Sequence, residues 1–475
     1  MRLNKTGKIG LGLLIAASIS GCVNKETPET PFLKVSENYR YLEYSNGKPF
    51  IYLGCTAWEL FHRLNREEAT EYLINRADKG FTVIQAVVLA ELDGLKTPNP
   101  YGEVPLIDLD PARPNEKYFK HVDFIVNKAE ELGLFIGMLP TWGDKVNSGD
   151  IFNPQNAELY GEYLGKRYKD KPIIWILGGD RSVRNDTIFN IWKAMAGGLR
   201  KGDEGSHLIT FHPSGGQHSS RWFHNEEWLD FNMYQSGHGQ KYNKVYDFAE
   251  HDYLLNPVKP FVDGEPAYED IPVRFWEFRA PAEALNSEKL IKDQSYFKYG
   301  FFTDYDIRVH AYWNLLAGAC GYTYGNNAIW QMFKKGDKIV IPCLYDWHGS
   351  LNRPGSGSIK YVRKLFEARP FSKLVPDQSA IYGSNSKDST HIRTAVASDG
   401  SFLIAYLAVG QPVTIVMKKI KGPQVRAWWY NPRDGNMTEI GEFTNQSNKK
   451  FIPPASGINN DWILVLDDGS KKFTH

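Results

Sequence analysis

Residues 172–180, PIIWILGGD, read as a buried β-strand that runs into two glycines and then a carboxylate, Asp180. Five of the first six side chains are apolar, and a short apolar run bounded by turn residues is the pattern of a strand covered by other elements. Asp180 has two readings. It caps the helix that follows, as Asp commonly does, or the strand delivers it to a site.

Similar runs recur along the chain. FIYLGC (50–55), TVIQAVVL (82–89), LFIGMLP (134–140), HLITFH (207–212), LDFNMYQ (229–235), KPFVDGE (259–265) and GYTYG (321–325) bring the number of candidate strands to eight. Helical patterns fall between them. NREEATEYLINRADKG opens with Asn65 and carries Glu68 three residues on, a capping-box spacing, and NPQNAELYGEYLGKRY has Asn153 at the cap with Pro154 at the first helical position. EKYFKHVDFIVNKAEELG, DTIFNIWKAMAGGLR, DYDIRVHAYWNLLAGA and SIKYVRKLFEA complete the series. Helical signals after the fifth and sixth strands are weak. The alternation predicts an α/β chain with a parallel sheet, a (β/α)8 TIM barrel over residues 34–375. A doubly wound open sheet is the structural alternative, but GCTAW stands after the first strand where a dinucleotide fold needs GxGxxG.

Beyond ARPFSKLVPDQ the pattern changes. IRTAVA, SFLIAYLAV, VTIVMK, VRAWWYN and WILVLDD are short β runs separated by turn signals such as SDG and PRDG, which predicts a small C-terminal antiparallel β-sandwich over 376–475. At the other end, MRLNKTGK followed by IGLGLLIAASIS and ISGC reads as a lipoprotein signal peptide over 1–22, with Cys22 lipidated. An ordinary signal peptide with an incidental cysteine is the alternative. Residues 23–33 read as a tether, and the expected location is the cell envelope, lipid-anchored at the outer-membrane surface or in the periplasm. Cys55, Cys320 and Cys343 form no CxxC and so no disulfide framework; whether two of them pair is open.

A net charge of +1 without long basic blocks excludes an electrostatic footprint for nucleic acid. Most of the 13 Trp, 26 Tyr and 26 Phe belong to the core, but aromatic faces are also surfaces on which sugar rings stack. Barrel enzymes place their active groups at the C-terminal strand ends. Reading those positions gives Thr56 and Trp58, Gln85, Trp142 and Asp144, Asp180, His212, Tyr234 and Gln235, Glu265, and Asn326 with Trp330. Asp180 and Glu265 end the fourth and seventh strands, and only barrel closure brings them together. Such a pair fits glycosidic hydrolysis, one carboxyl protonating the leaving oxygen while the other attacks or activates water. Trp58, Gln85, Trp142, His212, Tyr234, Gln235, Asn326 and Trp330 are then the candidate sugar contacts. Asp263, on the same strand face as Glu265, reads as a hydrogen-bonded structural acid. No cofactor or metal is expected: the first strand lacks an HxH pair, and His207, His212, His218 and His224 read as a mixture of sugar contacts and solvated loop residues.

The layout resembles the large superfamily of retaining barrel glycosidases. More narrowly, WILGGD, DGEP, YWNLLAGACGYTYGNNAIW and WWYNPRDG resemble glycoside hydrolase family 140, the apiosidases, whose barrel is joined to a terminal β-sandwich often labelled collagen-binding. The resemblance implies Asp180 as acid/base, Glu265 as nucleophile and D-apiose, released from pectic rhamnogalacturonan side chains, as product. One departure stands out: the wider superfamily has Asn-Glu where this chain has Gly179-Asp180, which weakens any transfer of pyranosidase specificity. The expected activity is an exo-acting, retaining glycosidase whose partner is a carbohydrate, a plant cell-wall glycan. The alternatives are a non-catalytic glycan-binding lipoprotein and an endo-acting β-glycanase.

Overall fold

The computed structural model describes residues 32–278 and 285–474. The signal-peptide reading, Cys22 and nearly all of the tether lie outside the described residues. Among those described, no helix is long and apolar enough to cross a membrane.

Eight strands make one parallel sheet. They are β1 (Tyr52–Thr56), β2 (Val83–Leu89), β3 (Phe135–Thr141), β4 (Ile173–Gly178), β5 (Ile209–His212), β6 (Asn232–Tyr234), β7 (Phe261–Asp263) and β8 (Gly321–Tyr324). Their order is β5-β4-β3-β2-β1-β8-β7-β6, with every ladder parallel. The seam between β5 and β6 closes where Asp230 N donates to Ile209 O at 2.9 Å and Thr210 Oγ1 donates to Phe231 O at 2.7 Å. This is a (β/α)8 barrel. Every residue of the eight strands is buried, which is why they appear in the sequence as unbroken apolar runs.

The surrounding helices are α1 (Arg66–Asp78), α2 (Glu116–Glu131), α3 (Pro154–Tyr168), α4 (Asp186–Asp203), α5 (Val245–Tyr253), α6 (Asp304–Leu316) and α7 (Pro354–Glu367). The Asn65–Glu68 capping box is formed, and Asn153 caps α3 with Pro154 in its first turn. Between β5 and β6 there is only a single helical turn, Ser220–Phe223. All of α6 after Asp304 is buried, since the C-terminal domain covers its outer side. A helix buried all round loses the amphipathic stripe that usually marks a barrel helix.

That domain is a six-stranded antiparallel sheet, β9 (Leu374–Pro376), β10 (Ile392–Ala397), β11 (Phe402–Leu407), β16 (Trp462–Asp468), β13 (Gln424–Tyr430) and β14 (Met437–Thr444) in spatial order, faced by the pair β12 (Val413–Val416) and β15 (Asn448–Phe451). It is fastened to α6. The Arg308 guanidinium donates to Asp461 at 2.9 and 3.1 Å, Tyr305 Oη to Ala408 O at 3.0 Å and Trp313 Nε1 to His391 O at 3.2 Å. Arg369 grips Asp467 through two bonds of 2.8 and 2.7 Å. At the barrel's other end, a small antiparallel sheet (Leu33–Val35, Leu42–Tyr44, Pro49–Phe50) packs Tyr44 and Phe50 on Phe135 at the start of β3. Cys55, Cys320 and Cys343 are buried free thiols.

Candidate active site

The turn after β4 is shaped by three consecutive residues at positive φ: Gly178 at 92°, Gly179 at 118° and Asp180 at 50°. A Cβ on Gly178 would meet His212 O at 2.2 Å, and one on Gly179 would meet the Trp142 ring at 2.6 Å. The glycines therefore let β5 and the Trp142 ring close against the backbone beside the acid. Asp180 has no such freedom and sits in a sparsely populated conformation, as residues at functional sites often do. It does not cap α4, because Asn185 does so by accepting from Ile188 N. Arg181 Nη1 lies 3.5 Å from Asp180 Oδ2, and 39% of the Asp180 side chain stays open. Burial, and after it the charge of Glu265, raise the Asp180 carboxyl above the usual aspartate range. A sugar seated over the partly open side chain strengthens the burial part.

Glu265 lies past the end of β7 and is 7% exposed. His238 Nε2 is 3.1 Å from its Oε1, and His212 Nε2 stands 3.2 Å from its Oε2. Burial alone would raise this carboxyl, but the two imidazoles outweigh it and bring it down to about 2. One acid is thus held ionised while the other is pushed toward its protonated form. Pairs separated in this way mark acid and base roles.

Trp58, Trp142 and His212 come together at this point. The two indoles lie 5.1 Å apart, and both rings approach His212, at 5.4 and 5.9 Å. Gln235 is nearly buried beside Gly215 of the loop after β5, and its Oε1 has no partner. Three expected sugar contacts, Gln85, Tyr234 and Asn326, are not brought to the pocket. Gln85 lies in the middle of β2 inside the barrel, where it accepts from Tyr52 Oη at 2.8 Å and donates to Gly264 O at 3.0 Å. It props the backbone beside Glu265 from below. Tyr234 packs its ring on Phe248 of α5, and its hydroxyl bonds Asn314 of α6, so it faces the helices. Asn326 is spent on capping the turn Asn327–Trp330 and on Asp270 Oδ2 at 3.0 Å. Trp330 is buried, with Nε1 3.3 Å from Asn327 Oδ1.

Asp263 is wholly buried, accepting from Ser236 Oγ at 2.6 Å and Asn314 Nδ2 at 3.0 Å, and is raised to about 7 by burial against those bonds. Its partners differ from those of Glu265, so the two acids do not share a face. Asp144 pairs with Lys145 at 3.0 Å. The histidines depart from expectation too. His207 is buried against Asp203 at 3.0 Å, His224 is buried against Asn232, and neither is a solvated loop residue.

Three residues escaped the sequence reading. His238 sits in the SGHGQ loop past β6, where no periodic pattern points to it. Tyr268, in EPAYED, turns its buried hydroxyl toward Glu265, Thr56 and Trp58, and its ring lies 4.6 Å from His238. Glu91, two residues past the end of β2, is raised to about 8 by burial and by the charges of Asp180, Glu59 and Glu265. It lines a cleft of about 970 Å³ walled by the loops after β1, β2 and β8, including His62, Asn99, Lys334 and Ile339.

A (β/α)8 barrel with two carboxylates at the ends of β4 and β7, one raised and one lowered by their surroundings, is the frame of a glycoside hydrolase, acting on a carbohydrate. The chain belongs to the apiosidase-like family: the family model "Apiosidase-like, catalytic domain" matches residues 36–373, and "Putative collagen-binding domain of a collagenase" matches 375–467. No curated protein matches it. Among solved structures it is similar to a protein titled "Glycoside hydrolase", with 36% identity over 93% of this chain and 98% of that one and a TM-score of 0.83. It is also similar to a glycoside hydrolase family 5 protein from Bacteroides vulgatus ATCC 8482, with 35% identity, 94% of each chain covered and a TM-score of 0.83.

Proposed function

We propose that this enzyme is an exo-acting, retaining glycosidase of the family 140 type that releases terminal D-apiose from pectic rhamnogalacturonan side chains. The observation that carries the mechanism is the split between the two carboxyls, Glu265 lowered to about 2 between two histidines and Asp180 raised next to it. In the first step a Glu265 oxygen bonds the anomeric carbon as the glycosidic C–O bond breaks, and the Asp180 proton passes to the leaving oxygen. In the second, Asp180 takes a proton from water, water oxygen bonds the anomeric carbon and Glu265 departs. His238 and His212 keep the nucleophile ionised and aimed. Trp142, seated on Gly179, supplies an apolar wall for the acid. The short Asp and the narrow approach it requires favour a small furanose, and the apiosidase-like family match favours the same sugar. We further propose that Cys22 anchors the chain to the envelope through lipid, with the β-sandwich as a brace.

The test incubates the purified chain with rhamnogalacturonan oligosaccharides and identifies the released sugar. Free apiose with an otherwise intact oligosaccharide supports the reading; internal cleavage would assign an endo-acting enzyme instead. Glu265→Gln is expected to lose more than about 10³-fold in kcat/KM with the fold retained. Proton NMR of the first-formed anomer decides retention.

A further inference from the structure

On the helix-facing side of the barrel wall, away from the two carboxylates, His218 from the loop after β5 meets His251 and Asp252 from the last turn of α5. His218 Nδ1 lies 3.2 Å, and His251 Nδ1 3.1 Å, from the same Asp252 oxygen, Oδ1, and Ser220 Oγ donates to that oxygen at 2.8 Å. The imidazole centroids are 4.4 Å apart, and the ligand-capable atoms of the three residues all lie within 4.8 Å of one another. Asp252 is buried, yet its other oxygen, Oδ2, has no partner.

As a hydrogen-bond network this is lopsided. One carboxylate oxygen is crowded by three groups while its twin is buried and bare, and buried polar atoms are rarely left so. A cation between the rings and the carboxylate removes the imbalance. It takes a nitrogen lone pair from each neutral imidazole and an oxygen from the Asp252 carboxylate. Two imidazoles and one carboxylate suit a borderline ion such as Zn²⁺, Ni²⁺ or Cu²⁺ rather than Mg²⁺ or Ca²⁺, which prefer all-oxygen sets. The His218 ring is already fixed by stacking on Phe248 at 5.1 Å and 21°. His251 is half exposed, which leaves an entry path.

We propose that His218, His251 and Asp252 form a divalent transition-metal site, with Ser220 and water available for the remaining positions. Such an ion ties the loop after β5 to α5. That loop also carries Ser214, whose hydroxyl is 2.8 Å from that of Ser182, two residues beyond Asp180. The metal is therefore a staple for one rim of the pocket and takes no part in bond breaking.

The test is calorimetric titration of chelator-treated full-length protein with ZnCl₂, with MgCl₂ as the comparison. One Zn²⁺ per chain, no Mg²⁺ uptake and a raised melting temperature are expected. His251→Gln, at an exposed position that leaves the fold intact by circular dichroism, is expected to weaken Zn²⁺ binding by about 100-fold, while Glu265→Gln leaves it unchanged. Absence of Zn²⁺ binding by the wild type overturns the proposal. So does binding that survives His251→Gln or is lost on Glu265→Gln, which would place the ion elsewhere.

Discussion

At pH 7 the carboxyl of Glu91, raised to about 8, keeps its proton, so it offers the pocket a hydroxyl donor instead of a second charge beside Glu265. An acid whose folded value exceeds its unfolded value of about 4.5 stabilises the fold fully below 4.5, and that contribution is lost as pH rises through 8. Glu91→Gln mimics the protonated form at every pH. Melting temperatures of the two proteins are expected to agree near pH 5 and to separate toward pH 9, the wild type falling below the variant. Parallel curves would mean that Glu91 is ionised in the folded chain. The strand-end rule made Asp180 and Glu265 legible, and it applies equally to Glu91. Glu91 escapes the sequence reading because Gln85, the polar residue of the β2 apolar run, lies inside the strand and not at its end. Tyr234 was misassigned for a related reason. In a strand as short as β6, one residue of displacement exchanges the pocket face for the helix face. His238 and Tyr268 lie on irregular loops, where neither periodicity nor turn chemistry marks a ligand.

Between α3 and α4 the contact surface is made of glycine. A Cβ on Gly161 would meet Met195 O at 2.4 Å, on Gly165 Leu199 O at 2.5 Å, on Gly198 Glu158 O at 2.1 Å and on Gly202 Glu162 O at 2.4 Å. The two backbones approach closely because nothing stands between them, and α4 carries the turn containing Asp180 at its entrance. Gly198→Ala must push the helices apart and is expected to cost about 1–3 kcal/mol in urea unfolding. Gly197→Ala, next in sequence with nothing within 4 Å, is expected to stabilise by about 0.5–1 kcal/mol by lowering the entropy of the unfolded helix segment. Equal effects at the two positions would show that the close approach is not maintained. The caps at Asn65 and Asn153 were legible because capping is a local pattern. The glycine seam was not, since the partners named lie 34 or 40 residues away along the chain, beyond the reach of any local pattern.

At the scale of the molecule, one face of the six-stranded sheet joins the barrel's apolar core, where Tyr312 of α6 stacks on Tyr406 of β11 at 4.9 Å, while its other face encloses a separate core with β12 and β15. The Asp461 carboxylate is wholly buried and accepts from Arg308, Arg433 and the Tyr406 hydroxyl. Removing one side of a buried ion pair leaves an uncompensated charge, so Asp461→Ala is expected to cost about 3–5 kcal/mol. Heating is expected to give a single calorimetric transition in wild type and variant alike. Two separated transitions would show that the domains unfold independently. The sequence divided the chain into two patterned regions correctly in outline, but patterning reports which faces are apolar and not which surfaces meet.

The same helix reaches both ways. Arg308 and Trp313 hold the appended domain, and Asn314, next in the chain, holds Asp263, two positions before Glu265. A module bolted down at that point cannot swing out to search for polymer, as a tethered binding domain would. Any reach toward insoluble substrate has to come from motion of the whole body, and trimming the module would be felt first in turnover.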